Sequence, residues 1–165
     1  MEKMPYQDHS QVDRESIPFA WHFRLPTIRG EKAGMRGNSF CFAIVPEGYE
    51  DAMGLFQVRQ LEPGFGSAEW GFAIGSPFWG RGLFVEGAKA VIDFSFGVVG
   101  MQRLEARSIA SNGRGNAALR KVGAYQESTL RRSFQRNGRY FDQILWSILK
   151  DDWRQTKAAW GPRLH

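Results

Sequence analysis

A single cysteine, Cys41, occurs in the 165 residues, so no internal disulfide can form and no second thiolate is present to share a metal. The three histidines, His9, His22 and His165, have no ligand-type spacing and no Ser or Cys partner nearby in sequence, and solvent or core roles are expected of them. Every apolar run is interrupted by charge well short of the ~18 residues a membrane span needs. The opening stretch, MEKMPYQDHSQVDRES, has no apolar block of the secretory kind. Repeats and low-complexity tracts are also missing. The expectation left standing is a single-domain protein of a reducing, cytoplasmic compartment, with no metal and no membrane partner.

Hydrophobic residues make up 42% and charged residues 24% of the chain, an ordinary globular balance that excludes disorder. The length suits one domain with a proper core. Charge is unevenly placed: residues 102–139 hold nine Lys or Arg against Glu105 and Glu127, a local +7 within a total of +5. Such a basic half suits an anionic partner, although a solvated surface gives the same pattern. Cys41, on an apolar stretch, is expected to be packed, and the six Trp and 13 Phe are expected chiefly to fill the core.

Pro5, Pro18 and Pro26 break up the first 38 residues, where a short helix through Phe19, Ala20, His22 and Phe23, capped by Ser16, is predicted. From Phe40 the pattern clears. FCFAIVP (40–46) reads as a buried strand, Glu47–Asp51 as a turn, and AMGLFQVRQLE (52–62) as a second strand paired with the first. After a turn at EPGFG (62–66), the stretch AEWGFAI (68–74) alternates. Trp70, Phe72 and Ile74 make a core face, while Glu69, Gly71 and Ala73 leave a small-residue face of the kind that lets a ligand or another backbone approach. Val85, Ala88, Ile92, Phe96 and Val99 predict a helix ended by Gly97 and Gly100. LEARSI (104–109) predicts a strand, completing a βαβ unit with parallel strands. NAALRKVGA (116–124) predicts a shorter helix stopped by Gly123. Asn137-Gly138 predicts a hairpin between 126–135 and 140–149, and a short helix is expected after Lys150.

Gly80-Arg81-Gly82 falls between strand and helix, where free amides and the positive end of the helix dipole favour a phosphate. It is neither a Walker loop, lacking Gly-Lys-Ser/Thr, nor a dinucleotide fingerprint, since Val85 stands where the third glycine belongs.

PFWGRGLFVEGAKAVIDFSF, residues 77–96, resembles the acyl-CoA loop and helix of the GNAT N-acyltransferase superfamily. Its loop pattern is Gln/Arg-x-x-Gly-x-Gly/Ala, and Pro77 at the first position is similar to the ribosomal-protein N-terminal (Rim-type) branch. MQRLEARSIASNGRGNAALRKVGA and NGRYFDQILWSILKDDW resemble the downstream strand, Asn loop, helix and closing hairpin, so the likeness covers roughly residues 40–153. It implies an α/β fold: a mixed, mostly antiparallel sheet with helices on both faces and a splayed parallel strand pair. Residues 1–39 would be a helical or irregular segment of the same domain, 40–153 the acyltransferase core and 154–165 a tail.

The resemblance further implies transfer of an acetyl group from acetyl-CoA to a primary amine, of a protein N-terminus or a small molecule, by direct attack and without a metal. The backbone of Phe72, Ala73 and Ile74 would pair with the pantetheine arm. The amides of Gly80, Arg81, Gly82, Leu83 and Phe84 would hold the pyrophosphate, and Asn112 would bond the arm. Arg81, Arg114 and Lys121 would meet the remaining phosphates, and Glu69 would be the catalytic base, the competing reading being a strand carboxylate paired with an arginine. A homodimer is compatible with the likeness.

The sequence departs from the family at three places. Gly115 stands where many relatives have Ser, the 116–124 helix has no Tyr, and 39 residues are few for the strand and two helices that usually precede Phe40, so a missing first strand or a start downstream of the true one is expected. These departures keep open a CoA-binding module that has lost catalysis. RNA binding through 102–139 lacks the aromatic strand signatures of RNA modules, so nucleic acid is not the expected partner.

Overall fold

Strand alternation sorts this chain into a core face and an open face. The computed structural model describes residues 21–24, 39–46, 49–64 and 66–160. Among these residues seven strands form one sheet: β1 Trp21–Arg24, β2 Ser39–Pro46, β3 Gly54–Gln60, β4 Ser67–Ile74, β5 Arg103–Ile109, β6 Tyr125–Arg136 and β7 Arg139–Leu149, in the spatial order β1-β2-β3-β4-β5-β7-β6. Every neighbouring pair is antiparallel except β4 and β5. Register places Phe42 opposite Phe56, Val58 opposite Trp70, Ala68 opposite Leu104, and Leu104 opposite Ile148. All of these are buried and belong to one core cluster.

That core is covered by α1 (Leu83–Phe94), α2 (Gly113–Lys121) and α3 (Lys150–Ala159). Leu83, Gly87, Ala88, Val91 and Ile92 form the buried stripe of α1, whereas Val85 is half-buried. A Cβ at Gly87 would run into the Phe56 ring, so the bare backbone lets helix and sheet approach closely. Trp153 of α3 donates its indole N–H to Asp93 at 2.8 Å, and Lys157 reaches the other oxygen of that carboxylate at 2.8 Å, pinning α3 to α1. Asn116 of α2 accepts from the Trp146 indole at 2.9 Å and donates to the carbonyls of Ile109 and Ala110. The helices expected for the other face would fall in the segment before β2, outside the described residues.

Several sequence expectations are corrected. His22 and Phe23 lie in β1, not in a helix: the segment is rich in strand-forming aromatics, and pairing with β2 satisfies its backbone. The remainder of that helix, Ser16–Ala20, falls outside the described residues. A strand does precede Phe40, contrary to the expected loss. Cys41 is exposed, because Phe42 and Ile44 take the core face of β2 and alternation turns Cys41 to the other. Gly97 does not end the long helix. It lies within a π turn, Ser95–Val99, and Gly100, at φ +84°, is the terminator. The hairpin turn follows the Asn-Gly signal, with φ of +49° at Asn137 and +73° at Gly138.

Candidate active site

β4 and β5 pair over only three positions, ending with Glu69 opposite Glu105. Beyond that pair β4 stays with β3 up to Ile74, and β5 stays with β7 up to Ile109. The two strands therefore part in the middle of the sheet. On the helix side the fork opens into a cleft of about 880 Å³. One wall is Phe72, Ala73 and Ile74, the floor is the loop and first turn leading into α1, and the far wall is α2 from Asn112 to Lys121.

Local sequence explains the floor. Gly82 caps α1 in the left-handed region at φ +79°, Gly80 sits at +78°, and open space adjoins both. The first helical bond runs from the Glu86 amide to the Gly82 carbonyl at 3.1 Å, so the amides of Leu83, Phe84 and Val85 have no intrahelical acceptor. Phe84 packs against Phe72, ring centroids 4.3 Å apart and planes tilted by 49°, which fixes this turn against β4. Trp79 donates its indole N–H to the Ile74 carbonyl at 2.7 Å. The Arg114 guanidinium lies 3.7 Å from the Trp79 ring centroid, bridging loop and α2.

Of the residues expected at a cofactor, Phe72, Ala73, Ile74, Gly80, Gly82, Leu83, Phe84 and Asn112 line this cleft; Arg81 belongs to the same loop but does not line it. Among the basic residues, Arg114 and Lys121 do. Asn112 is also the N-cap of α2, its Oδ1 accepting from the Gly115 amide at 3.0 Å, which leaves its amide NH₂ to serve a ligand. Tyr125 and Tyr140 are exposed and line no part of the cleft.

Glu69 stands at the fork but on the open face. Its carboxylate accepts from Arg107 at 2.8 Å and from Arg59, so the arginine-paired arrangement is the one the structure adopts. It is one rung of an ion ladder across the sheet. Arg103 bonds Glu105 at 2.9 Å and Glu127 at 2.9 Å, and Ser147 Oγ donates to Glu127 at 2.6 Å. Partial burial works against the Arg103 charge, but the hydrogen bonds it donates to Glu105 and Glu127 outweigh that and raise the guanidinium above its ordinary value. The Ser147 hydroxyl and Arg103 hold the Glu127 carboxyl below its ordinary value. Glu105, Arg107 and the Trp79–Arg114 stack escaped the sequence reading. For Glu105 and Arg107 the alternation of 104–109 around a core face was the available signal; for the stack there was none.

Among the described residues no group of three or more His, Cys, Asp or Glu could hold a metal ion, and no helix is long and apolar enough to cross a membrane. A family model described as the acetyltransferase (GNAT) domain matches residues 7–125. The chain belongs to this family. GNAT enzymes use acetyl-CoA as co-substrate and an amine as acceptor, so the chain is an acetyl-CoA-dependent N-acetyltransferase.

The relatives agree. The uncharacterized N-acetyltransferase p20 of Bacillus licheniformis is 25% identical over 72% of this chain and 67% of its own length. YdaF of Bacillus subtilis (strain 168), which bears the name of a ribosomal N-acetyltransferase, is 23% identical over 87% of this chain and 73% of its own. The ribosomal-protein-S5-alanine acetyltransferase of Vibrio fischeri shares the fold, with a TM-score of 0.65 at 24% identity over 70% of this chain and 63% of that one. In this GNAT domain the two positive-φ glycines, the free first-turn amides and the flanking Arg114 and Lys121 suit a pyrophosphate with further phosphates beside it. The long, largely apolar cleft suits an extended arm that ends at the fork.

Proposed function

We propose that the acetyltransferase acts on the α-amine of a polypeptide, with acetyl-CoA entering from the helix side and the amine from the open face. The observation that carries this reading is the parting of β4 and β5 after Glu69 and Glu105, which lets a thioester in the cleft meet a nucleophile from the other side. Backbone N–H groups on the unpaired edge of β4 would polarise the thioester carbonyl and then hold the tetrahedral oxyanion. The amine attacks, the C–N bond forms, the C–S bond breaks, and nitrogen gives up one proton.

Glu69 is the proposed acceptor of that proton, directly or through a water. It must release a guanidinium to take it, since both oxygens are engaged. An α-amine suits such a base, because its ordinary pKa of about 7.7–8.0 leaves a share neutral at pH 7, against about 10.4 for a lysine-type amine. The name of YdaF supports the same acceptor class. The test is a panel of free-amine peptides and polyamines incubated with acetyl-CoA, read by mass spectrometry. Acetylated peptide α-amines are expected. Exclusive acetylation of polyamines would refute the acceptor class, and CoA binding without turnover on any amine would favour the non-catalytic module.

A further inference from the structure

Among the described residues, one buried side-chain polar atom has no hydrogen-bond partner: Ser108 Oγ. An unpaired buried hydroxyl is unfavourable, and an alanine would fill a strand position without that cost. Ser108 lies on β5 beyond the last β4–β5 pair, and alternation gives it the side of Leu104 and Ala106, which face the helices. Its outer edge pairs with Ile144 of β7, so the edge towards β4 is the open fork. Two cleft residues sit over it: a Cβ at Gly115 would lie 3.0 Å from Ser108 Oγ and 2.6 Å from Asn112 Nδ2. Ser108 itself does not line the cleft: its hydroxyl is buried just beneath Gly115 and Asn112, in the space a side chain at 115 would otherwise occupy.

We propose that Ser108 donates its hydroxyl hydrogen bond to the sulfur of CoA as the thioester breaks. The inference rests on the reading of the cleft as the acetyl-CoA site. As the tetrahedral intermediate collapses, the C–S bond breaks and sulfur takes the electron pair. The Ser108 O–H stabilises that thiolate, and a proton from solvent, balancing the one lost by nitrogen, converts it to the thiol. Ser108 itself neither gains nor loses a proton. Sulfur reaches the hydroxyl when the Asn112–Gly115 turn over it shifts, and the hydroxyl has no partner to give up in that exchange.

The test compares Ser108→Ala and Ser108→Thr with the wild-type chain, using acetyl-CoA and a peptide the wild type acetylates. Ser108→Ala should lower kcat about tenfold to a hundredfold, the range expected for a hydrogen bond to a charged group, with KM for acetyl-CoA within about twofold. Its melting temperature should be equal or higher, because an unpaired buried hydroxyl has gone. Ser108→Thr, which keeps the hydroxyl, should recover most of the rate. The thiol of bound CoA, followed by thiolate absorbance against pH, should titrate lower on the wild type than on Ser108→Ala. Turnover by Ser108→Ala equal to wild type, with the same thiol titration, would overturn the proposal while leaving the cleft assignment intact. A wild-type chain that binds no CoA would overturn both.

Discussion

At Glu69 one strand position carries two roles, as a rung of the ion ladder and as the proposed proton acceptor. Glu69→Gln keeps the shape and removes the charge, so kcat should fall on the order of 10²–10⁴-fold with CoA binding nearly unchanged. The loss should shrink towards high pH, where more of the amine arrives neutral. Near-normal kcat from pH 6 to 9 would confine Glu69 to the ladder. This residue also marks how far a sequence reaches. The small-residue face of Glu69, Gly71 and Ala73 was legible from alternation alone, because period two needs no tertiary knowledge. The grip of Arg59 and Arg107 on the carboxylate was not, since those arginines come from positions 10 and 38 residues away. Ser108 was silent for the same reason: its lack of a partner is a property of the packed site, not of the segment LEARSI.

Elements with strong local signals were read well, and those that depend on neighbours were not. The Asn137-Gly138 turn, the alternation of β4 and the glycine loop before α1 each rest on a few adjacent residues. The helix expected through His22 failed because short aromatic segments take whichever structure a neighbour offers, and β2 offered an edge. The core stripe of α1 was displaced by the same blindness: Gly87 counted as no hydrophobe, yet it is buried against Phe56. Gly87→Ala should therefore destabilise the chain by about 1–3 kcal/mol through overpacking, although alanine is the better helix former by roughly 1 kcal/mol. Urea unfolding measures the balance, and a variant as stable as wild type would show that the Phe56 ring gives way at no cost.

At the scale of the molecule, the described residues divide the work across the sheet: helices and an apolar core on one face, a charged ladder on the other, and a fork connecting them. The ladder has a pH signature. Because Glu127 is held below its ordinary value by Ser147 and Arg103, its contribution to stability is complete above about pH 4.3, the unfolded value, and is lost as pH falls through the lower folded value. Glu127→Gln should flatten the acid limb of melting temperature against pH, and an unchanged limb would mean that other carboxylates govern it. The parallel pair was legible from strand–helix–strand order, and its splay came only with the family resemblance; the length over which it pairs was not legible. The central claim is that the glycine floor of that fork holds the pyrophosphate of acetyl-CoA. Calorimetric titration of CoA into wild type and Gly82→Val tests it most directly. Valine at φ +79° strains the cap and puts methyl groups over the amides, so affinity should fall by one or more powers of ten, about 1.4 kcal/mol for each, in a chain whose circular dichroism is unchanged. Equal CoA affinity in that folded variant would contradict the account.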